Sequence, residues 1–407
     1  MMLRVFLGNF DFEHQLASEV YAAAGGGTPA LNLQLACCWL GIAAAGDQIY
    51  LPAALSPEFI AQLAVDGLPT VEWISKWPGR EQAAQREFVP WGWSEAAVKL
   101  ADAQGFRTTA PDLAAVQMVN SRSFSFHCET EWGVSLPGSC QVKEMDELEA
   151  AVADLAAQKG KEETAWVLKA DFSMSARERM LGRGDGVSNP IRDWAKKRFS
   201  YPQPLFLEPW VQRVAEAGLQ FEIPQQGEPA FLGLAQLLCD DRGQYRGSRI
   251  CVDAQIQETW QPAIEMGQRV AARVQQAGYF GPLGIDAMQY RDERGALQCR
   301  PIQDVNARYT MGRLALGFKR FLKSGQVASW LHFPWKESYG QPFSKWLRCV
   351  ADTQESGTRL VATSPDQIDG QTLRLVNVLL ISETTDELDR NEEALMRAVA
   401  VLAETAC

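Results

Sequence analysis

The chain has 407 residues, and 39 basic against 50 acidic side chains leave a net charge of −11, which argues against nucleic acid as a partner. With 46% apolar and 22% charged residues it is neither disordered, collagenous nor coiled coil, and at about 150 residues per domain it should fold as two to four units. The longest apolar stretch, Leu35 to Gly46, is far shorter than the ~20 residues of a bilayer span, so no membrane contact is expected.

The opening MMLRVFLGNFDFEHQ lacks the apolar core of a signal peptide, and nine cysteines without a CxxC pair read as reduced thiols. The expected location is the cytoplasm. His14, His127 and His332 are isolated, so zinc is not expected.

In chain order, a strand is predicted over Leu3–Leu7, a helix after Glu13, an apolar helix over Leu31–Ala45 and a strand over Gln48–Leu51, an α/β pattern. Gly25-Gly26-Gly27 is followed by Thr28-Pro29, not by Gly-Lys-Ser/Thr, and reads as a turn. Ser94 and Gly105 bracket a predicted helix as N-cap and C-terminal stop. A strand over Ala165–Lys169 runs into a basic glycine-containing loop with Arg177, Arg179 and Arg183, before a helix that opens at Asn189-Pro190.

Strands are then predicted over Leu205–Val211, Gln220–Ile223, Ala230–Cys239 and Gly243–Ile250, an antiparallel set, followed by a helix over Ile264–Gly278. Residues 281–312 parse as strand, turn and strand. Unbroken alternation in the second strand places Arg300, Ile302, Asp304, Asn306 and Arg308 on one face, too polar for a core. Asp286 on the first strand can join them, and two carboxylates with an amide oxygen suit Mg²⁺. A tight symmetric turn sets Asp286 opposite position 301, three residues short of Asp304; a wider turn or a bulge must close the gap. Beyond residue 313 a helix at FKRFLKSG, strands at TRLVAT and LRLVNVLLIS and a final acidic-faced helix are predicted.

Gly281, Gly284-Ile285-Asp286, Asp304-Val305-Asn306-Ala307-Arg308 and Gly312 resemble the closing signature of the ATP-grasp superfamily, over roughly residues 110–320. The resemblance implies an α/β ATP-grasp fold with a pre-ATP-grasp domain (1–110), a first lobe with a phosphate loop (111–204), a second lobe with the metal site (205–320) and a C-terminal α/β segment (321–407). It implies ATP as nucleotide and Mg²⁺, or Mn²⁺, held by Asp286, Asp304 and Asn306. Lys169 matches the lysine that binds the α- and β-phosphates. Glu208, Trp210 and Val211 match the adenine-binding hinge, Glu216 the ribose acid, and Arg122 replaces the lysine near the start of the first lobe. Arg308 is placed for a substrate carboxylate or acyl phosphate.

The implied reaction joins a small-molecule carboxylate to an amine through an acyl phosphate, with Arg308 and Lys169 as catalytic groups; a homodimer is left open. Phosphotransfer and a silent nucleotide-binding subunit are the alternatives.

Overall fold

The computed structural model describes residues 2–21, 29–159, 164–172, 178–240, 243–250, 254–354 and 357–405. The Gly25–Gly27 turn and Arg177 lie outside them. Strands β1 (Arg4–Leu7), β2 (Gln48–Tyr50), β3 (Glu72–Ile74) and β4 (Glu87–Pro90) form an all-parallel sheet in the order β3-β2-β1-β4. The helix Glu95–Gln104 begins and ends as its sequence predicts: Ser94 Oγ accepts from the Ala97 N–H, and Gly105 takes a left-handed φ of 80°. The apolar run expected as one helix instead splits into a helix Pro29–Leu35 and a 3₁₀ segment Ala36–Gly41. At Gly41 the backbone packs against the helix Met311–Gly317, where a Cβ on Gly41 would collide with the Leu314 carbonyl and one on Gly317 with the Gly41 carbonyl.

The second sheet is antiparallel, with β5 (Cys140–Val142), β6 (Ala165–Ala170), β7 (Arg179–Arg183) and β8 (Leu205–Pro209) in the order β5-β8-β6-β7. It has an apolar core of its own, including Val142, Leu148, Trp166, Leu168, Ile191 and Leu207. The loop expected after Lys169 is thus partly a strand: Arg179–Arg183 pairs with β6, and Gly182 sits opposite Trp166, whose ring leaves no room for a Cβ.

The third sheet has eight strands: β9 (Gln212–Ile223), β10 (Ala230–Cys239), β11 (Tyr245–Ile250), β12 (Gly281–Arg291), β13 (Leu297–Asn306), β14 (Val327–Pro334), β15 (Arg359–Ala362) and, after a minimal hairpin of β16 (Gln367–Ile368) and β17 (Gln371–Thr372), β18 (Leu375–Ser382). Their order is β13-β12-β9-β10-β11-β14-β18-β15, antiparallel throughout. The strands after residue 321 therefore extend the sheet that carries the acids. The predicted helix at FKRFLKSG is a 3₁₀ turn, Phe318–Phe321, continuing Met311–Gly317.

A single apolar core runs from Phe6 and Trp39 through Phe221 and Ile285 to Trp330 and Ile381. Among the described residues no helix is long and apolar enough to cross a membrane.

Candidate active site

The hairpin β12–β13 sets the acids. Its turn pairs Arg291 with Leu297 and Met288 with Arg300, a loop one residue shorter than a Tyr290–Leu297 pairing would leave, which alone moves the register by a single step toward Asp304. Between Met288 and Asp286 the register then shifts, so that one residue of β12, Ala287, faces three of β13, Pro301 to Gln303. Pro301 has no N–H to give to a ladder, and β13 is the sheet's edge strand, where such an irregularity is tolerated. The bulge brings Asp304 directly opposite Asp286, and Asn306 opposite Gly284.

The same bulge corrects the alternation expected for β13. Ile302 lies in the apolar core with Val305 and Ala307, while Gln303, not Ile302, joins Asp304 in facing the cleft. Arg300 is 3% exposed and does not line the cleft that holds the acids. It bonds bidentately to Glu129 (Nε–Oε1 2.6 Å, Nη2–Oε2 2.7 Å) and to Glu208 (Nη1–Oε2 2.9 Å, Nη2–Oε1 3.2 Å). Lys169 Nζ completes the set, donating to Glu208 Oε2 at 2.6 Å. Two acids and two bases, each desolvated, form a neutral buried array. Burial pushes Lys169 down to about 8. Burial would raise Glu208, but Arg300 and Lys169 hold its carboxylate well below the usual range.

Asp286 is pushed up to about 7, first by burial and then by the Asp304 charge beside it. Its Oδ2 accepts from Asn306 Nδ2 at 3.2 Å, and Asn306 Oδ1 accepts from Arg308 Nη2 at 2.9 Å. Two carboxylates and an amide are hard oxygen donors and leave most of an octahedron to phosphate and water, which fits Mg²⁺. The Asn306 amide must turn over to offer its oxygen. Among the described residues no three His, Cys, Asp or Glu side chains form a closed metal cage.

Arg122, which opens the helix Arg122–Glu131 behind the Ser121 cap, reaches Asp304 at 3.4 Å. Seven of the ten sequence-predicted residues, Arg122, Lys169, Glu216, Asp286, Asp304, Asn306 and Arg308, line one cleft of about 460 Å³. Trp210 and Val211 line an adjoining groove of about 310 Å³ that shares Glu216, Leu237 and Cys239 with it. Glu208 is the exception: its carboxylate is buried under Lys169 and Arg300 and faces neither cavity. Trp210 has guanidinium groups over its ring, Arg213 at 5.1 Å and Arg179 at 5.6 Å. Of the loop arginines in the described residues, Arg179 lines the cleft, whereas Arg183 pairs with Ala165 at the far end of β6 and is exposed.

The structure adds residues from the N-terminal segment, on the helix Phe12–Tyr21 and just after β4, that periodicity does not reveal. Glu13 forms an ion pair with Arg308, whose guanidinium also lies 5.5 Å over Trp91. Glu13 Oε2 and Arg308 Nε are buried without a partner. The only sequence signal for this contact is Trp91 itself, in the FVPWGW segment.

No protein-family model matches the chain, and no curated protein sequence matches it. Solved structures do. An N5-carboxyaminoimidazole synthetase from Staphylococcus aureus, complexed with ADP, aligns at 11% identity with a TM-score of 0.52, covering 96% of each chain. The N5-carboxyaminoimidazole ribonucleotide synthetase of Thermus thermophilus aligns at 17% identity and 0.51, covering 98% of each. The biotin carboxylase domain of Hydrogenobacter thermophilus 2-oxoglutarate carboxylase aligns at 13% and 0.53, covering 97% of this chain and 90% of that one. The chain has the ATP-grasp fold.

Proposed function

We propose that the chain is an ATP-dependent ligase that joins a carboxylate to an amine through an acyl phosphate. The observation that carries this reading is the convergence of Lys169, the Asp286–Asp304 pair and Arg308 in one cleft. Neighbours of the same fold support it: the Staphylococcus protein is complexed with ADP, and the Hydrogenobacter domain with MgADP and bicarbonate.

In this reading adenine lies along Trp210 and Val211, against the backbone that follows β8, and Glu216 takes a ribose hydroxyl. Lys169 and Arg122 hold the inner phosphates, and Arg179 reaches the outer one. Asp286, Asp304 and Asn306 would hold Mg²⁺ or Mn²⁺, which supplies charge neutralisation at the phosphate oxygens. Arg308 fixes the acid. A carboxylate oxygen attacks the γ-phosphorus, the bond to the β–γ bridging oxygen breaks and ADP leaves. The amine then attacks the acyl carbon, expels phosphate and gives up a proton. The sheet β5–β8, with a core of its own, is the part suited to close over the phosphates and exclude water. This closing unit belongs to the first lobe proposed for residues 111–204, between the N-terminal domain to 110 and the second lobe to 320, and takes in β8 just beyond that boundary.

The test is a screen of amino acids and small carboxylates for ADP release, with mass spectrometry of the products. Free phosphate and a condensed product that both require acid and amine are expected. A phosphorylated acceptor without free phosphate would make the chain a phosphotransferase, and ATP binding without turnover a regulatory subunit. Unchanged ATP turnover in Asp304→Ala would overturn the metal assignment.

A further inference from the structure

Four strands along the sheet from the Asp286 strand, the same cleft is lined by a histidine that the proposed chemistry does not use. His332 on β14 is 3% exposed, and neither Nδ1 nor Nε2 has a hydrogen-bond partner. Buried polar atoms are bonded in the great majority of cases, so a ring with both nitrogens open is an exception that needs a cause. The ring is firmly placed: Trp330 meets it edge-on at 4.4 Å and Tyr245 at 5.3 Å, and the Tyr245 hydroxyl is itself bonded to Ser248 Oγ at 2.8 Å. Directly opposite on β18 stands Asn377, whose Oδ1 is also buried and unpartnered.

Among the described residues the charge on this wall is balanced. Arg246, beside Tyr245 in the cleft lining, donates to Asp240 Oδ2 at 2.9 Å and to Gln244 Oε1 at 3.2 Å. Burial pushes His332 down to about 3, so the imidazole is neutral and offers one N–H and one lone pair. With the Asn377 carbonyl, the unmet capacity is two acceptors and one donor. Among the described residues of this wall a desolvated ion finds no uncommitted countercharge, whereas a primary carboxamide brings two N–H donors and one carbonyl.

We propose that His332, with Tyr245 and Asn377 behind it, forms a specificity subsite that takes an uncharged carboxamide group carried by the substrate, away from the reacting carboxylate or amine. The proposal rests on the ligase reading for the word substrate, but its binding test does not. The chain has only three histidines, so ¹⁵N-histidine labelling of the full protein yields few ring signals, assigned with His332→Gln. Titration with L-glutamine and with N-acetylglycinamide should shift the His332 ring resonances, L-glutamate should not, and His14 and His127 should stay still. Ring signals that ignore both carboxamides, or respond equally to glutamate, overturn the subsite.

Once a turning-over pair is found, His332→Phe should cost about tenfold in kcat/KM for a carboxamide-bearing substrate, the worth of one buried hydrogen bond, with KM for ATP unchanged. An unchanged preference overturns the proposal. Resonance shifts without any ADP release leave the subsite standing and remove the ligase; ADP release without shifts does the reverse.

Discussion

Asp286 and Asp304 face each other across adjacent strands because β13 carries two more residues than β12 between the Met288–Arg300 pair and the acids. Without a cation this pairing costs stability. The Asp286 carboxyl rises from an ordinary 3.8 to about 7, so its stabilising contribution is complete below about pH 4 and is lost as pH climbs through 7. Asp286→Asn should therefore stabilise the metal-free protein at pH 8, by on the order of 2 kcal/mol in urea unfolding, while abolishing Mg²⁺-dependent ATP turnover. A destabilised variant would show that the pair is not strained.

Lys169 and Asp286 bound a pH window. In the proposed site, metal binding needs Asp286 ionised, above about 7, and phosphate binding needs Lys169 protonated, below about 8. A plot of kcat/KM for MgATP against pH should be bell-shaped with its maximum between these values. The acid limb should move down when Asp304 is replaced by Asn, since that charge raises Asp286.

Arg300 holds Glu129 and Glu208 together without reaching the cleft. Arg300→Met leaves two buried carboxylates with Lys169 alone and should cost about 3–5 kcal/mol of unfolding free energy. Arg300→Lys should recover part of this, because one ammonium cannot serve two carboxylates as a guanidinium fork does. Equal stabilities for the two variants would deny the fork its role.

Trp210, with Arg179 and Arg213 over its ring, borders the groove assigned to adenine. Trp210→Ala should raise KM for ATP by about tenfold and leave kcat within about threefold, the pattern of lost ground-state binding. A fall in kcat at constant KM would move the residue to the chemical step.

The sequence discloses local rules more readily than long-range ones. Ser94 and Gly105 mark a helix because capping is local, and the order lysine strand, hinge, acid hairpin is readable along the chain. The strand β14 is not legible, since both its faces are buried and VASWLHFP shows no alternation. Unbroken alternation assigns Arg300 and Ile302 to the acid face; Pro301 is the available hint of the bulge that moves them off it. The pairing of Glu13 with Arg308 joins residues almost three hundred positions apart, and no periodicity encodes it.

The mutual exclusion of side chains at Gly41 and Gly317, within a core that runs from Phe6 to Ile381, ties both ends of the molecule to its centre. A fragment cut at 110 would strip Trp39 of Tyr309, one cut at 320 would strip Trp330 of Phe318, and either would expose apolar surface along the break. The three segments are therefore unsuited to recombinant shuffling with those of other proteins of this fold, and a graft would have to carry both glycines and the facing helix as one piece.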